Sequence, residues 1–191
     1  MEFLTKDISQ GTNPEIEDLV SRLKAHARNL YETRQLLCSE AVLVALNQGL
    51  SGGLTEEQAV AMAAPFCVAM GDSGCLCGAL SGAVLAAGLF VGNHRPYASR
   101  REMRESGRAL HNAFRTANGA TCCRVLSKPV KHDKKAHFSQ CAGFTAEAAE
   151  MAARLILEKR PELIKIAANS PAPVRRSKVG GLLFKLFKYL F

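Results

Sequence analysis

The sequence predicts an all-α protein, a compact bundle of about five helices with a flexible amphipathic C-terminal tail. Three observations carry that expectation. Apolar residues recur at spacings of three and four along most of the chain, capping signals precede several of those stripes, and no alternating strand pattern of convincing length stands anywhere.

The first predicted helix starts at Asn13 as cap, with Pro14 in the first helical position, where a missing N–H costs nothing. Its stripe of Ile16, Leu19, Val20, Leu23, Ala27, Leu30 and Tyr31 is read as continuing through Cys38, Ala41, Val42 and Ala45, which places Cys38 on its buried face. Gly49, Gly52 and Gly53 stop it. Thr55 and Gln58 form a capping box for a second helix, with Ala59, Met62, Ala63, Phe66, Cys67 and Met70 facing inward. Cys67 is read there as core packing, because free cysteine is among the most buried residue types. After G-D-S-G, Cys75 and Cys77 open a third, apolar helix that runs to about Val91, and a helix N-terminus favours thiolate. Residues 73 to 93 carry no charge. About 20 apolar residues can span a bilayer, but the wealth of Gly, Ala, Ser and Cys reads better as a buried core helix.

Ser99 and Glu102 give a further capping box, with Met103, Leu110 and Phe114 inward and Asn118-Gly119 at the end. Cys122 and Cys123 fall in a loop, a basic stretch runs from Lys128 to Lys135, and Cys141 precedes a fifth helix capped by Thr145. Pro161 interrupts that helix. The folded domain is thus expected over residues 1–168, a linker over 169–181, and an amphipathic segment over 182–191.

Of 191 residues, 48% are hydrophobic and 22% charged, the balance of a chain that folds. The net charge of +8 resides mostly in residues 154–191, which hold nine Lys/Arg against two Asp/Glu. With a nearly neutral body and few aromatics on which bases could stack, no nucleic acid is expected as partner. The N-terminus lacks a basic region followed by an apolar run, which points to the cytoplasm. There, seven cysteines are expected as free thiols, metal ligands or redox groups rather than as a disulfide framework. No Ser-His-Asp order, paired-carboxylate motif or phosphate loop supports a hydrolase or nucleotide enzyme.

The stretches C-S-E-A-V-L from Cys38, C-G-A-L-S-G-A followed by A-A-G-L from Cys77, C-R-V-L from Cys123, and Cys141 leading into the last core helix resemble the C_GCAxxG_C_C family of redox-active proteins. The resemblance covers about residues 30 to 157. It implies a redox or iron–sulfur role and, by position, assigns Cys38, Cys77, Cys123 and Cys141 to it. Four thiolates also suit tetrahedral iron or zinc on chemical grounds, since soft sulfur selects those metals. Cys75, Cys122 and His137 are additional candidates: a ligand, a resolving thiol, or a nitrogen that tunes a nearby thiolate. The other four histidines are read as surface residues. No C-x-x-C is present, so neither a thioredoxin motif nor a zinc knuckle is expected.

Two functions are weighed. The first is a redox or electron-transfer protein with an unknown redox partner, holding an iron–sulfur cluster or cycling its thiols. The second is an adaptor whose cysteines are buried or bind zinc, with no redox cofactor. The tail bears on both, because Leu183, Leu186, Phe187, Leu190 and Phe191 fall along one helical side, with Lys185 and Lys188 on another. Ten helical residues make only about 15 Å, too short to span a bilayer. The tail is expected either to lie on an anionic membrane surface, peripheral on its inner face, or to dock on the domain or a second copy in a homo-oligomer.

Overall fold

The computed structural model describes residues 13–92, 97–168, 177 and 180. The tail residues Leu183, Leu186, Phe187, Leu190 and Phe191, with most of the linker before them, lie outside that set. The described residues are almost entirely helical and hold no strand. In order, the elements are α1 (Pro14–Glu32), α2 (Cys38–Gly49), α3 (Glu56–Ala63), a 3₁₀ turn (Ala64–Phe66), α4 (Cys67–Asp72), α5 (Gly78–Gly92), α6 (Arg100–Asn118), α7 (Cys123–Leu126), a second 3₁₀ turn (Lys128–Val130), α8 (Lys134–Lys159) and α9 (Leu163–Ala168).

Helices α2, α5 and α8 pack on one another at the centre, with α1 against α2 and α8, and α6 against α5 and α8. The core is built largely from Ala, Leu and Val, with Leu43, Leu46, Leu80, Phe114 and Ile156 fully enclosed. Small residues let the helices approach closely. A Cβ on Gly82 of α5 would come within 2.5 Å of the Ser39 carbonyl oxygen at the start of α2. The uncharged segment after residue 73 is indeed a core helix, and no helix among the described residues is long and apolar enough to cross a membrane.

Four local readings are corrected. The first expected helix is two. Arg34 takes a left-handed conformation with φ 58°, the N–H groups of Gln35 and Leu36 both turn back to the Leu30 carbonyl, and α2 restarts where the Leu37 N–H meets the Glu40 carboxylate at 2.8 Å. Cys38 therefore opens a helix instead of lying midway along one.

The second helix keeps its Thr55–Gln58 box but ends at Pro65, which enforces a tight turn. Met62 and Met70 are consequently exposed rather than inward. Beyond Cys67 the chain makes a left-handed turn, with φ of 51°, 58° and 54° at Val68, Ala69 and Met70. Each such residue costs about 1–2 kcal/mol. Exposed, β-branched Val68 is the most ill-suited of the three, so Val68→Gly is expected to stabilise the fold by up to about 1 kcal/mol, read from urea unfolding.

Ser99 makes no side-chain cap, and the Glu102 carboxylate instead meets Lys159 of α8 at 3.1 Å. The last correction concerns α8. Asp133 caps it, receiving the N–H groups of Lys135 and Ala136, so His137 and Cys141 lie inside the helix, and Thr145 spends its hydroxyl on the Cys141 carbonyl at 2.8 Å.

Candidate thiol site

The N-termini of α2 and α5 carry Cys38 and Cys77, and the site is built around these two helix starts. Cys38 is the first residue of α2, and Cys77 immediately precedes α5. Gly78 brings them together. A Cβ at that position would stand 2.5 Å from the Cys38 sulfur and 2.8 Å from the Phe66 carbonyl oxygen, so only a residue without a side chain leaves room for that sulfur beside α5.

Each helix-start cysteine has a thiol partner from another element. Cys67 reaches Cys38 from the left-handed turn. The Cys38 S–H holds the Cys67 thiol down to about 7, outweighing the effect of burial, with help from the Ser39 hydroxyl and the Glu40 N–H. The reciprocal effect raises Cys38 well above the thiol range, because its proton serves the neighbouring thiolate. Ser39 Oγ lies 3.0 Å from the Cys67 sulfur and 2.7 Å from the Ala63 carbonyl oxygen. It has one proton for two acceptors, so it can turn from the carbonyl to the sulfur when Cys67 ionises.

Cys123, at the start of α7, is the partner of Cys77 in the same manner. Donation from the Cys77 S–H brings the Cys123 thiol down to about 7 against burial, and the Gly78 N–H adds to it. Cys77 is raised correspondingly, and charge on Cys38 pushes it further up. Cys141 of α8 completes the group. Burial raises its thiol, while the Tyr31 hydroxyl opposes that shift and charge on Cys123 reinforces it. Tyr31 is in turn raised by burial and by the charges of Cys141 and Cys38, so it stays protonated as a donor. Its ring stacks on Phe138 with centroids 5.0 Å apart.

Cys75 and Cys122 take no part as thiols. They form a disulfide across 47 residues, which corrects the expectation of free cysteines at both positions: the bond joins two loops and is neither a C-x-C nor a vicinal pairing. It is one strand of a clamp. The Cys77 N–H donates to the Thr121 carbonyl at 2.7 Å, the Arg124 N–H to the Gly74 carbonyl at 3.0 Å, and the Arg124 guanidinium to the Ser73 carbonyl at 2.8 Å. Together these fix the segment before Cys77 against the segment before Cys123.

The charges of Cys38, Cys77, Cys123 and Cys141 thus act on one another in series, Cys38 on Cys77, Cys77 on Cys123 and Cys123 on Cys141, and Cys67, which sequence reasoning assigned to the core, joins them through Cys38. Its burial concealed it, at 5% exposure; the signal was its place beside Pro65 and the polar G-D-S-G segment, away from any continuing helix. Tyr31 was missed as part of an apolar stripe, and Ser39 because a serine beside a cysteine carries no signal of its own. His137 stands exposed on α8. His26 proves buried, its Nε2 3.1 Å from Gln48 Oε1, where desolvation lowers its pKa. Leu37 and Val68, each next in sequence to a site cysteine, and Val125, two residues after Cys123, are exposed.

A comparison with protein families matches residues 36–155 to the family described as "Putative redox-active protein (C_GCAxxG_C_C)". The chain belongs to this family. The descriptor's G-C-A-x-x-G stands here as C-G-A-L-S-G, with glycine at the position that must admit the Cys38 sulfur. No curated protein and no solved structure was found to match the chain. The matched region contains both thiol pairs, the disulfide and Cys141.

An iron–sulfur cluster or zinc calls for three or four ligands around one point. The soft donors are of the right type. Among the described residues, however, no three His, Cys, Asp or Glu side chains are placed to hold a metal ion; the thiols stand in pairs.

Proposed function

We propose that this member of the family is a thiol–disulfide redox protein, with Cys77 and Cys123 as the pair that cycles. The observation carrying this reading is the Cys77–Cys123 pairing itself. The Cys75–Cys122 disulfide and the Cys77 N–H bond to the Thr121 carbonyl at 2.7 Å hold the segments before the two cysteines against each other, and the electrostatics favour the thiolate on half-buried Cys123 and the thiol on buried Cys77. That division suits an attacking sulfur and a resolving sulfur.

The co-reactant is a disulfide carried by a partner protein, for which exposed Leu37, Val68 and Val125 offer apolar contact. The Cys123 thiolate attacks one sulfur of that disulfide, forming a mixed disulfide and expelling a partner thiolate. Cys77 then gives up its proton and attacks Cys123 Sγ, and the second partner thiolate leaves with that proton. The partner disulfide gains two electrons and the Cys77–Cys123 pair loses them.

A second reading is an iron–sulfur cluster on Cys38, Cys77, Cys123 and Cys141, favoured by the series of interactions that links all four. Protein purified without oxygen and reconstituted with iron and sulfide separates the two. The proposal predicts no visible absorbance and a Cys77–Cys123 link after exposure to a model disulfide. Stable visible bands with bound iron and sulfide, together with thiols that do not link, would overturn it in favour of the cluster. The tail retains the role expected of it, contact with an anionic membrane surface or another copy of the chain. Sedimentation with anionic liposomes, with and without residues 180–191, is the corresponding test.

A further inference from the structure

We propose that Cys38 and Cys67 form a second dithiol that re-reduces the Cys77–Cys123 pair by internal disulfide exchange, giving the chain a capacity of four electrons. This rests on the reading of Cys77 and Cys123 as the cycling pair. Cys67 lies outside the family pattern and is buried at 5% exposure. Its sulfur is 3.0 Å from the Ser39 hydroxyl at the start of α2, and it enters the site from a left-handed turn rather than from a helix that would have buried it with ordinary apolar neighbours.

Contact between the two pairs is provided at Gly78. The Cys38 sulfur occupies the space a side chain there would fill, next to Cys77, and charge on Cys38 is felt at Cys77. Cys67 meets the same spot, its Cα 3.6 Å from a Cβ placed at Gly78, so the order of interaction runs Cys67, Cys38, Cys77, Cys123. Cys67 of the inner pair and Cys123 of the outer pair each have a backbone N–H group that stabilises a leaving or waiting thiolate.

The exchange balances without any external reagent. Once Cys77 and Cys123 are joined, Cys38 passes its proton to Cys67, attacks Cys77 Sγ and expels the Cys123 thiolate. Cys67 then attacks Cys38 Sγ, breaking the Cys38–Cys77 bond, and its proton goes to the departing Cys77. One disulfide is broken and one formed, and two electrons and one proton move from the inner pair to the outer.

Oxidation of the wild-type chain by excess hydroxyethyl disulfide, quenched by alkylation at intervals and mapped by mass spectrometry, tests this. The Cys77–Cys123 link should appear first and the Cys38–Cys67 link should follow, while in Cys123→Ser the inner link should form at least about tenfold more slowly, since buried Cys67 depends on the outer pair for access. Wild-type protein in which Cys77 and Cys123 link while Cys38 and Cys67 remain alkylatable would overturn the relay and leave the outer pair standing. An inner link formed as fast in Cys123→Ser as in wild type would also overturn it. Absence of any Cys77–Cys123 link would remove the relay together with the reading beneath it.

Discussion

Cys123→Ser should reduce disulfide exchange with a model disulfide to the buffer background, whereas Cys77→Ala should leave a chain that stops at the mixed disulfide. The two variants divide the attacking role from the resolving one, so the second is expected to accumulate an adduct of defined mass. The acid–base consequence is separable. In the native chain the alkylation rate of Cys123 should rise with pH through a midpoint of about 7, because the thiolate is the reactive form. Without the Cys77 S–H the largest cause of that lowering is gone. In Cys77→Ala the midpoint should move upward, toward about 8.5, and alkylation at pH 7 should slow accordingly. An unchanged midpoint would mean that Cys77 does not donate to Cys123, and the pairing on which the functional reading rests would fail.

Removing the disulfide should have the largest effect on stability. The double variant Cys75→Ala/Cys122→Ala is expected to lose about 2–4 kcal/mol in urea unfolding, the usual contribution of a cross-link that closes a loop of this order. Its influence extends to the site, since the bond joins the residue before Cys123 to a residue two before Cys77. Some of the clamp persists in the variant through Arg124, which holds the Ser73 and Gly74 carbonyls. Cys123 alkylation at pH 7 should therefore fall but not to the level of Cys77→Ala. A variant that is as stable as the parent would show that the two loops are held by their hydrogen bonds alone.

The sequence also limits which surface features bear on function. Basic residues from Lys128 to Lys135 are exposed, on the turn before α8 and in its first two residues, and remote in role from the thiols, which are governed by backbone N–H groups, by one another and by Tyr31. Salt bridges such as Arg154 with Glu17, at 2.7 Å, tie α8 to α1 on the surface and contribute little there.

Helix content, the α1 cap at Asn13, the Thr55–Gln58 box, the apolar core helix and the stop at Gly119 were all legible from local chemistry, because each depends on residues within one or two turns of one another. The family was legible too, from the order and spacing of the cysteine motifs. What failed locally failed where distant parts of the chain compete. Ser99 is a good cap in isolation, but Glu102 finds Lys159 on another helix. A continuous stripe runs from Leu30 to Ala41, but the chain breaks at Arg34 and places Cys38 at a helix start. By itself, the sequence determined the helices and the membership of the family. Tertiary structure alone decided that Cys75 bonds to Cys122, that Cys67 joins Cys38, and that Gly78 leaves room for a sulfur from another helix. Pairing of sulfurs depends on which loops meet in space, and no periodicity along the chain encodes that distance.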